Sequence, residues 1–169
     1  MMRSITRNEE LGEEKIVYYP EGIGTLRGIE EREYFIRNNF LHGITRETLL
    51  EGMNIIHRDV RHHREIFFEV DHNYPFLKMQ FEIEGYSSYR HANRESLDVD
   101  ILNGCHQLFF FPEVRGRLRY PACRRYTVEI LLSLDYFKKV FHNDLTSLNH
   151  FGSQVENNAP VTFFPACLR

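Results

Sequence analysis

The sequence predicts a mainly β fold, a jelly roll or barrel followed by two short α-helices. Three observations carry this. About ten short apolar or alternating runs, each the length of one strand, recur between residues 16 and 132. The chain is rich in aromatic residues of the strand-forming kind, with Phe 14 and Tyr 9 but no Trp. After Ser133 the apolar spacing changes from strand period to helix period.

The elements follow in order. Residues 1–15 are polar and read as a flexible arm. Ile16-Val17-Tyr18-Tyr19 opens the β body, and Gly22, Gly24 and Gly28 punctuate it as turn residues. Glu33 to Arg37 reads as a strand. Thr45 to Leu50 reads as one helical turn or, over Thr48 to Leu50, as a strand, bounded by Gly43 and Gly52. Met53 to Val60 is rich in β-branched residues and reads as a strand. Met53, Ile55, His57 and Asp59 share one face, and Asn54, Ile56, Arg58 and Val60 share the other. Arg61-His62-His63-Arg64 reads as a solvated loop, and Ile66 to Val70 as the next strand. Leu77 to Gly85 shows the cleanest alternation. Leu77, Met79, Phe81 and Ile83 are expected to face inward, with Lys78, Gln80, Glu82 and Glu84 in water. Leu97, Val99 and Ile101 alternate with Asp98 and Asp100. Gly104 to Pro121 contains two short runs, closed by Pro112 and Pro121, and reads as a buried hairpin. Val128 to Leu132 is the last strand. Ser133 then caps a helix with the stripe Leu134, Phe137, Val140 and Phe141. Asn143-Asp144 opens a second stripe through Leu145, Leu148, Phe151 and Val155. The expected division is an arm over 1–15, a β body over 16–132, a helical appendage over 133–158 and the start of a linker over 159–169.

Composition limits the function classes. A net charge of −3 offers no general field for nucleic acid. Cys105, Cys123 and Cys167 have no metal-type spacing and read as buried or free thiols of a reducing compartment. No segment approaches the roughly 20 apolar residues of a membrane span. The start carries no apolar stretch of the signal-peptide type. The expected setting is therefore cytoplasmic, without a membrane.

The order of motifs resembles the amino-terminal effector-binding domain of AraC-like transcription regulators, nearest to the branch that senses siderophores. The residues that carry the likeness are Gly52-Met53-Asn54-Ile55-Ile56-His57-Arg58-Asp59, Phe81 to Gly85, Gly104 to Glu113 with Gly116 and Tyr120-Pro121, and Val128-Glu129-Ile130 leading to Ser133-Leu134-Asp135-Tyr136-Phe137. The likeness covers most of residues 20–158. It implies a cupin-type jelly roll that binds a small-molecule effector and takes part in dimerisation. It also implies DNA contact only through a separate carboxy-terminal helix-turn-helix pair, which is expected to lie beyond Arg169. A homodimer stays open, because the helices that pair subunits in that family would lie mostly past this point.

Metal cupins place two His of one strand on the same face. His62-His63 are neighbours and diverge, and His57 and His106 stand apart, so neither a metal nor another cofactor is expected. Ser87-Ser88 lacks a nucleophile-elbow context and Cys105-His106 diverge, so no catalytic residue is assigned and the chain is not expected to be an enzyme. The expected ligand site lies inside the β body on Ile55, His57, Asp59, Met79 and Phe81. Its logic is that the Met53–Asp59 strand puts ionisable groups on an otherwise apolar face. The alternatives are a free-standing metal-binding cupin enzyme and a carbohydrate-binding jelly roll, the latter disfavoured by the missing Trp.

Overall fold

A computed structural model describes residues 2–8, 13–19, 28–163 and 166–167. The expected turns at Gly22 and Gly24 lie outside the described residues, as does Phe164. Fourteen strands and two α-helices are described, together with two single 3-10 turns. The strands are β1 (Met2–Asn8), β2 (Glu13–Tyr19), β3 (Glu30–Arg37), β4 (Leu41–Leu50), β5 (Met53–His62), β6 (Ile66–His72), β7 (Phe76–Glu84), β8 (Ser87–His91), β9 (Val99–Ile101), β10 (Cys105–Phe111), β11 (Val114–Tyr120), β12 (Arg124–Leu132), β13 (Val161–Thr162) and β14 (Ala166–Cys167). The helices are α1 (Leu134–Val140) and α2 (Asn149–Glu156).

Strand order identifies the architecture. One sheet runs β2-β1-β6-β11-β8-β9, and the other runs β13-β10-β7-β12-β5-β4-β3, with β14 also on β10. Every pairing is antiparallel. The eight strands β5 to β12 alternate between the sheets as β5-β12-β7-β10 facing β6-β11-β8-β9. That is the strand order of a jelly roll built from two Greek keys. The expected fold, a mainly β jelly roll followed by two short helices, holds.

Several local readings change. The run Gly104 to Pro121 is not a hairpin. β10 pairs with β7, whereas β11 pairs with β6 and β8, so the Pro112-Glu113 corner carries the chain from one sheet to the other. Proline suits such a corner because it lacks the N–H a ladder needs. Leu41–Leu50 is a strand along its whole length, and β5 continues through Arg61 and His62, which read as loop from the sequence. Met2–Asn8, expected in a flexible arm, forms β1 and pairs with β6 from Ser4↔His72 to Arg7↔Glu69. Cys105 and Cys167, read as thiols, form a disulfide that joins β10 to β14, while Cys123 is free.

Two apolar clusters hold the layers. Val70, Tyr89, Val99, Ile101, Phe109, Phe111 and Val114 fill the space between the sheets. Leu77, Phe110, Phe137, Leu145, Phe151, Val155 and Val161 pack the helices against the outer face of the larger sheet. The expected stripes thus find their partner except at Val140, which is exposed, and the second helix begins at Asn149, with Leu145 and Leu148 packing from the turn before it. Ser133 caps α1 as expected, its hydroxyl oxygen accepting from the Tyr136 amide at 3.2 Å. No described helix is long and apolar enough to cross a membrane.

Candidate functional site

The second cluster reverses the expected register of β7. Leu77 is buried, but beneath the helices and not between the sheets. Its alternates Lys78 and Gln80 face the opposite sheet, where they share a small enclosed cavity with Val70, Val99 and Ile101. Pairing then fixes the inner face of the neighbouring strands. Gln80 sits opposite Glu129 and Gln107, Glu82 opposite Thr127, and Thr127 opposite Arg58. The β-bulge between Tyr126 and Thr127 shortens no reach here, since Arg125 still points inward opposite Val60.

The inner face is therefore charged. Arg125 and Glu82 are the most enclosed pair, with side-chain exposures of 2% and 0%. The Arg125 guanidinium donates to both Glu82 carboxylate oxygens, at 2.6 and 3.3 Å. Gln80 donates to Glu82 at 3.0 Å, and the Ser87 hydroxyl does so at 3.0 Å. Glu129 receives the Lys78 ammonium at 2.5 Å and more loosely Arg58 at 3.4 Å. Burial opposes the charge on Glu129, but Arg58, Lys78 and Arg125 around it outweigh burial and hold its carboxyl well below the usual range. Arg125 also lies 4.3 Å from the centre of the Tyr120 ring.

At one end this interior opens into a cleft of ≈ 450 Å³ between β3–β5, Phe68, Tyr120 and Arg125. Its polar groups are Thr45 and Glu47 of β4, Arg58 and His62 of β5, and Arg125 of β12. Its apolar wall includes Tyr34, Ile36, Leu41, Val60 and Phe68. His62 is 6% exposed and stacks on Tyr120 with centroids 5.4 Å apart, yet among the described residues neither ring nitrogen has a hydrogen-bond partner. Burial first, then Arg125 and His63, push its imidazole down to about 4, so it is neutral at physiological pH. A neutral imidazole offers one donor and one acceptor. Leaving both idle in a buried position is costly, and few native buried groups are left so.

The five residues expected to line the interior lie on the other face. Ile55, His57, Met79 and Phe81 stand together on the outer face of β5 and β7, with Val128 and Ile130 of β12 between them. His57 is exposed, and Phe81 stacks on His106 at 5.2 Å. Asp59 is bound by Arg124 at 3.0 and 2.9 Å, and that hydrogen bond lowers its pKa. The interior instead receives their alternates Ile56, Arg58, Val60, Lys78, Gln80 and Glu82. Sequence reasoning missed His62 by ending the strand two residues early. It missed Arg125 because that residue falls between the expected hairpin and the last strand, and Glu129 because its strand was read for its apolar residues. The available signal was the period-2 series Arg125, Thr127, Glu129, three polar residues on one face of an otherwise apolar strand.

The residues do not suit a metal centre. His62 is the one imidazole of the cleft, and Glu82 and Glu129 are already bound by Arg and Lys. Among the described residues no group of three His, Cys, Asp or Glu side chains converges.

No family model matches this chain, and no curated protein matches it. Its fold is similar to solved cupin-fold structures. These include an oxalate decarboxylase variant from B. subtilis at 11% identity, covering 83% of this chain and 42% of that one with a TM-score of 0.38. Another is vicilin from Corylus avellana (hazelnut) at 10% identity, covering 83% and 51% with a TM-score of 0.37. The chain spans about half the length of these structures or less. The jelly-roll assignment stands on strand order and does not need them.

Proposed function

We propose that this domain binds a small organic molecule in the cleft at the end of the jelly roll. We further propose that it serves as the effector-sensing part of a transcription regulator of the AraC-like kind, with DNA contact made outside this chain. One observation carries the binding reading: a buried, neutral His62, with neither nitrogen partnered among the described residues, faces a cleft of ligand size. The regulatory role is supported by the sequence resemblance over residues 20–158. The reading assigns no chemical step to the site.

The experiment is a thermal-shift and NMR screen of small molecules against the purified chain. Binders are expected to shift resonances of β4, β5 and β12 around Thr45, Arg58, His62 and Arg125. His62→Phe, which keeps the ring stacked on Tyr120 but removes both nitrogens, should weaken binding about tenfold or more while the fold persists. Binders that perturb only the outer face around Phe81 and His106 would refute the cleft. A stoichiometric metal retained through dialysis, with turnover, would favour the cupin-enzyme alternative instead.

A further inference from the structure

The cleft holds two opposite charges that do not meet. Glu47 and Arg58 lie on adjacent strands, with Thr45 directly opposite Arg58 and Glu47 opposite Ile56. They are diagonal neighbours on one face, about 7 Å apart at the backbone. Among the described residues, the basic groups near Glu47 are engaged elsewhere. Arg58 leans across to Glu129 at 3.4 Å. Arg32, opposite Glu47 on β3, holds Glu30 at 2.5 Å. Arg125 is bound to Glu82. Glu47 makes no ion pair or hydrogen bond among the described residues, and Glu129 is the one carboxylate among them that Arg58 reaches. His62, with both nitrogens idle, lies four residues along β5, roughly 13 Å away. Between the charged end and His62 the wall is Val60, Phe68 and Tyr120, with the Glu82-bound Arg125 opposite Val60.

We infer that the ligand is a small zwitterion with an aromatic body, of the class of a free aromatic α-amino acid. Its ammonium group pairs with Glu47, its carboxylate with Arg58, and its ring lies along Val60, Phe68 and Tyr120 toward His62. A polar substituent on the ring meets the imidazole. Glu47 and His62 have no partner among the described residues and Arg58 is held only at 3.4 Å by Glu129, so a ligand of net charge zero matches a cleft that contributes one acid and one loosely held base. The inference rests on the ligand-binding reading above and gives the class of the ligand.

The test compares four probes by calorimetry on the full chain: L-tyrosine, L-phenylalanine, tyramine, which lacks the carboxylate, and 3-(4-hydroxyphenyl)propionate, which lacks the ammonium. L-Tyrosine should bind best, and each loss of a charged group should cost about tenfold or more. L-Phenylalanine should bind more weakly than L-tyrosine, and His62→Phe should abolish that difference. Glu47→Gln should weaken L-tyrosine to the level of the propionate while leaving the propionate unchanged. Urea unfolding of Glu47→Gln is expected to match the parent, so a loss of binding cannot be a loss of fold. Equal affinity for L-tyrosine and the propionate, or unchanged discrimination in Glu47→Gln, overturns the class. If uncharged ring compounds shift cleft resonances and the zwitterions do not, the class fails and the cleft stands. If no probe of either kind touches the cleft, both fail.

Discussion

At the scale of single residues, the most consequential contact is Arg125 with Glu82. Both are enclosed within the jelly roll, and each satisfies the other. A buried ion pair is weak evidence of net stabilisation, but removing one partner leaves the other charge stranded. Arg125→Met should therefore cost about 3–5 kcal/mol in urea unfolding. Replacing both, as Arg125→Met with Glu82→Leu, should recover most of that loss. If the double variant is no better than the single one, the two side chains are not coupled. Phe81 is the contrasting case. From its alternation it is expected to sit in the central core, where truncation costs about 3–5 kcal/mol. It is half-buried on the outer face against His106. Phe81→Ala should cost only about 1–2 kcal/mol, scaled to the area it covers.

At the scale of elements, the joint between the β4–β5 hairpin and α1 decides where the helical layer sits. Gly52 makes the turn with φ +74, and its carbonyl accepts from the Ser133 amide at 2.8 Å. A Cβ built there would lie 2.3 Å from the Tyr136 Cβ on α1. Glycine is needed for both reasons, the left-handed conformation and the close approach. Gly52→Ala should destabilise by roughly 1–3 kcal/mol, and calorimetry should show whether Tyr136→Gly relieves part of it. Ser133→Ala, which removes only the cap, should cost about 1 kcal/mol. A larger loss for Ser133 than for Gly52 would contradict this ranking.

At the scale of the whole molecule, acid stability is set first by histidines held neutral. Burial pushes His62 and His72 both down to about 4, from 6.5 for an unperturbed imidazole. Between those values the unfolded chain takes up protons that the folded chain refuses. The stability they contribute is thus complete above pH 6.5 and is lost as pH falls toward 4. Carboxylates held low by ion pairs, Glu129 among them, give up their contribution at lower pH, below the ordinary carboxylate range. The melting temperature should therefore begin to fall near pH 6.5 and not near pH 4.5. His62→Phe should flatten the upper part of that slope. A profile flat down to pH 5 in the parent protein would show that these rings are open to protons in the folded state.

Most of the central strands, the two helices, the Ser133 cap and the mainly β class follow from the sequence alone, because period, turn residues and capping groups act over a few neighbours; β1, read as a flexible arm, and the end of β5 do not. Even the apolar set Leu77, Met79, Phe81 and Ile83 marks a real face. What the sequence could not decide is which layer that face meets. A period-2 pattern separates two faces of a strand without saying which lies between the sheets, and it assumes that the other face is wet. Here the outer face of the larger sheet is dry beneath α1 and α2 around Leu77, while the inner face holds the ions. The apolar side therefore pointed out and the charged side pointed in. Tertiary structure alone could reveal this, because a buried Glu82, Arg125 or Glu129 is stable only through partners distant in sequence. The same holds for the cleft. His62, Arg58, Glu47 and Arg125 come from three strands, and no local pattern records that antiparallel pairing sets them around one space.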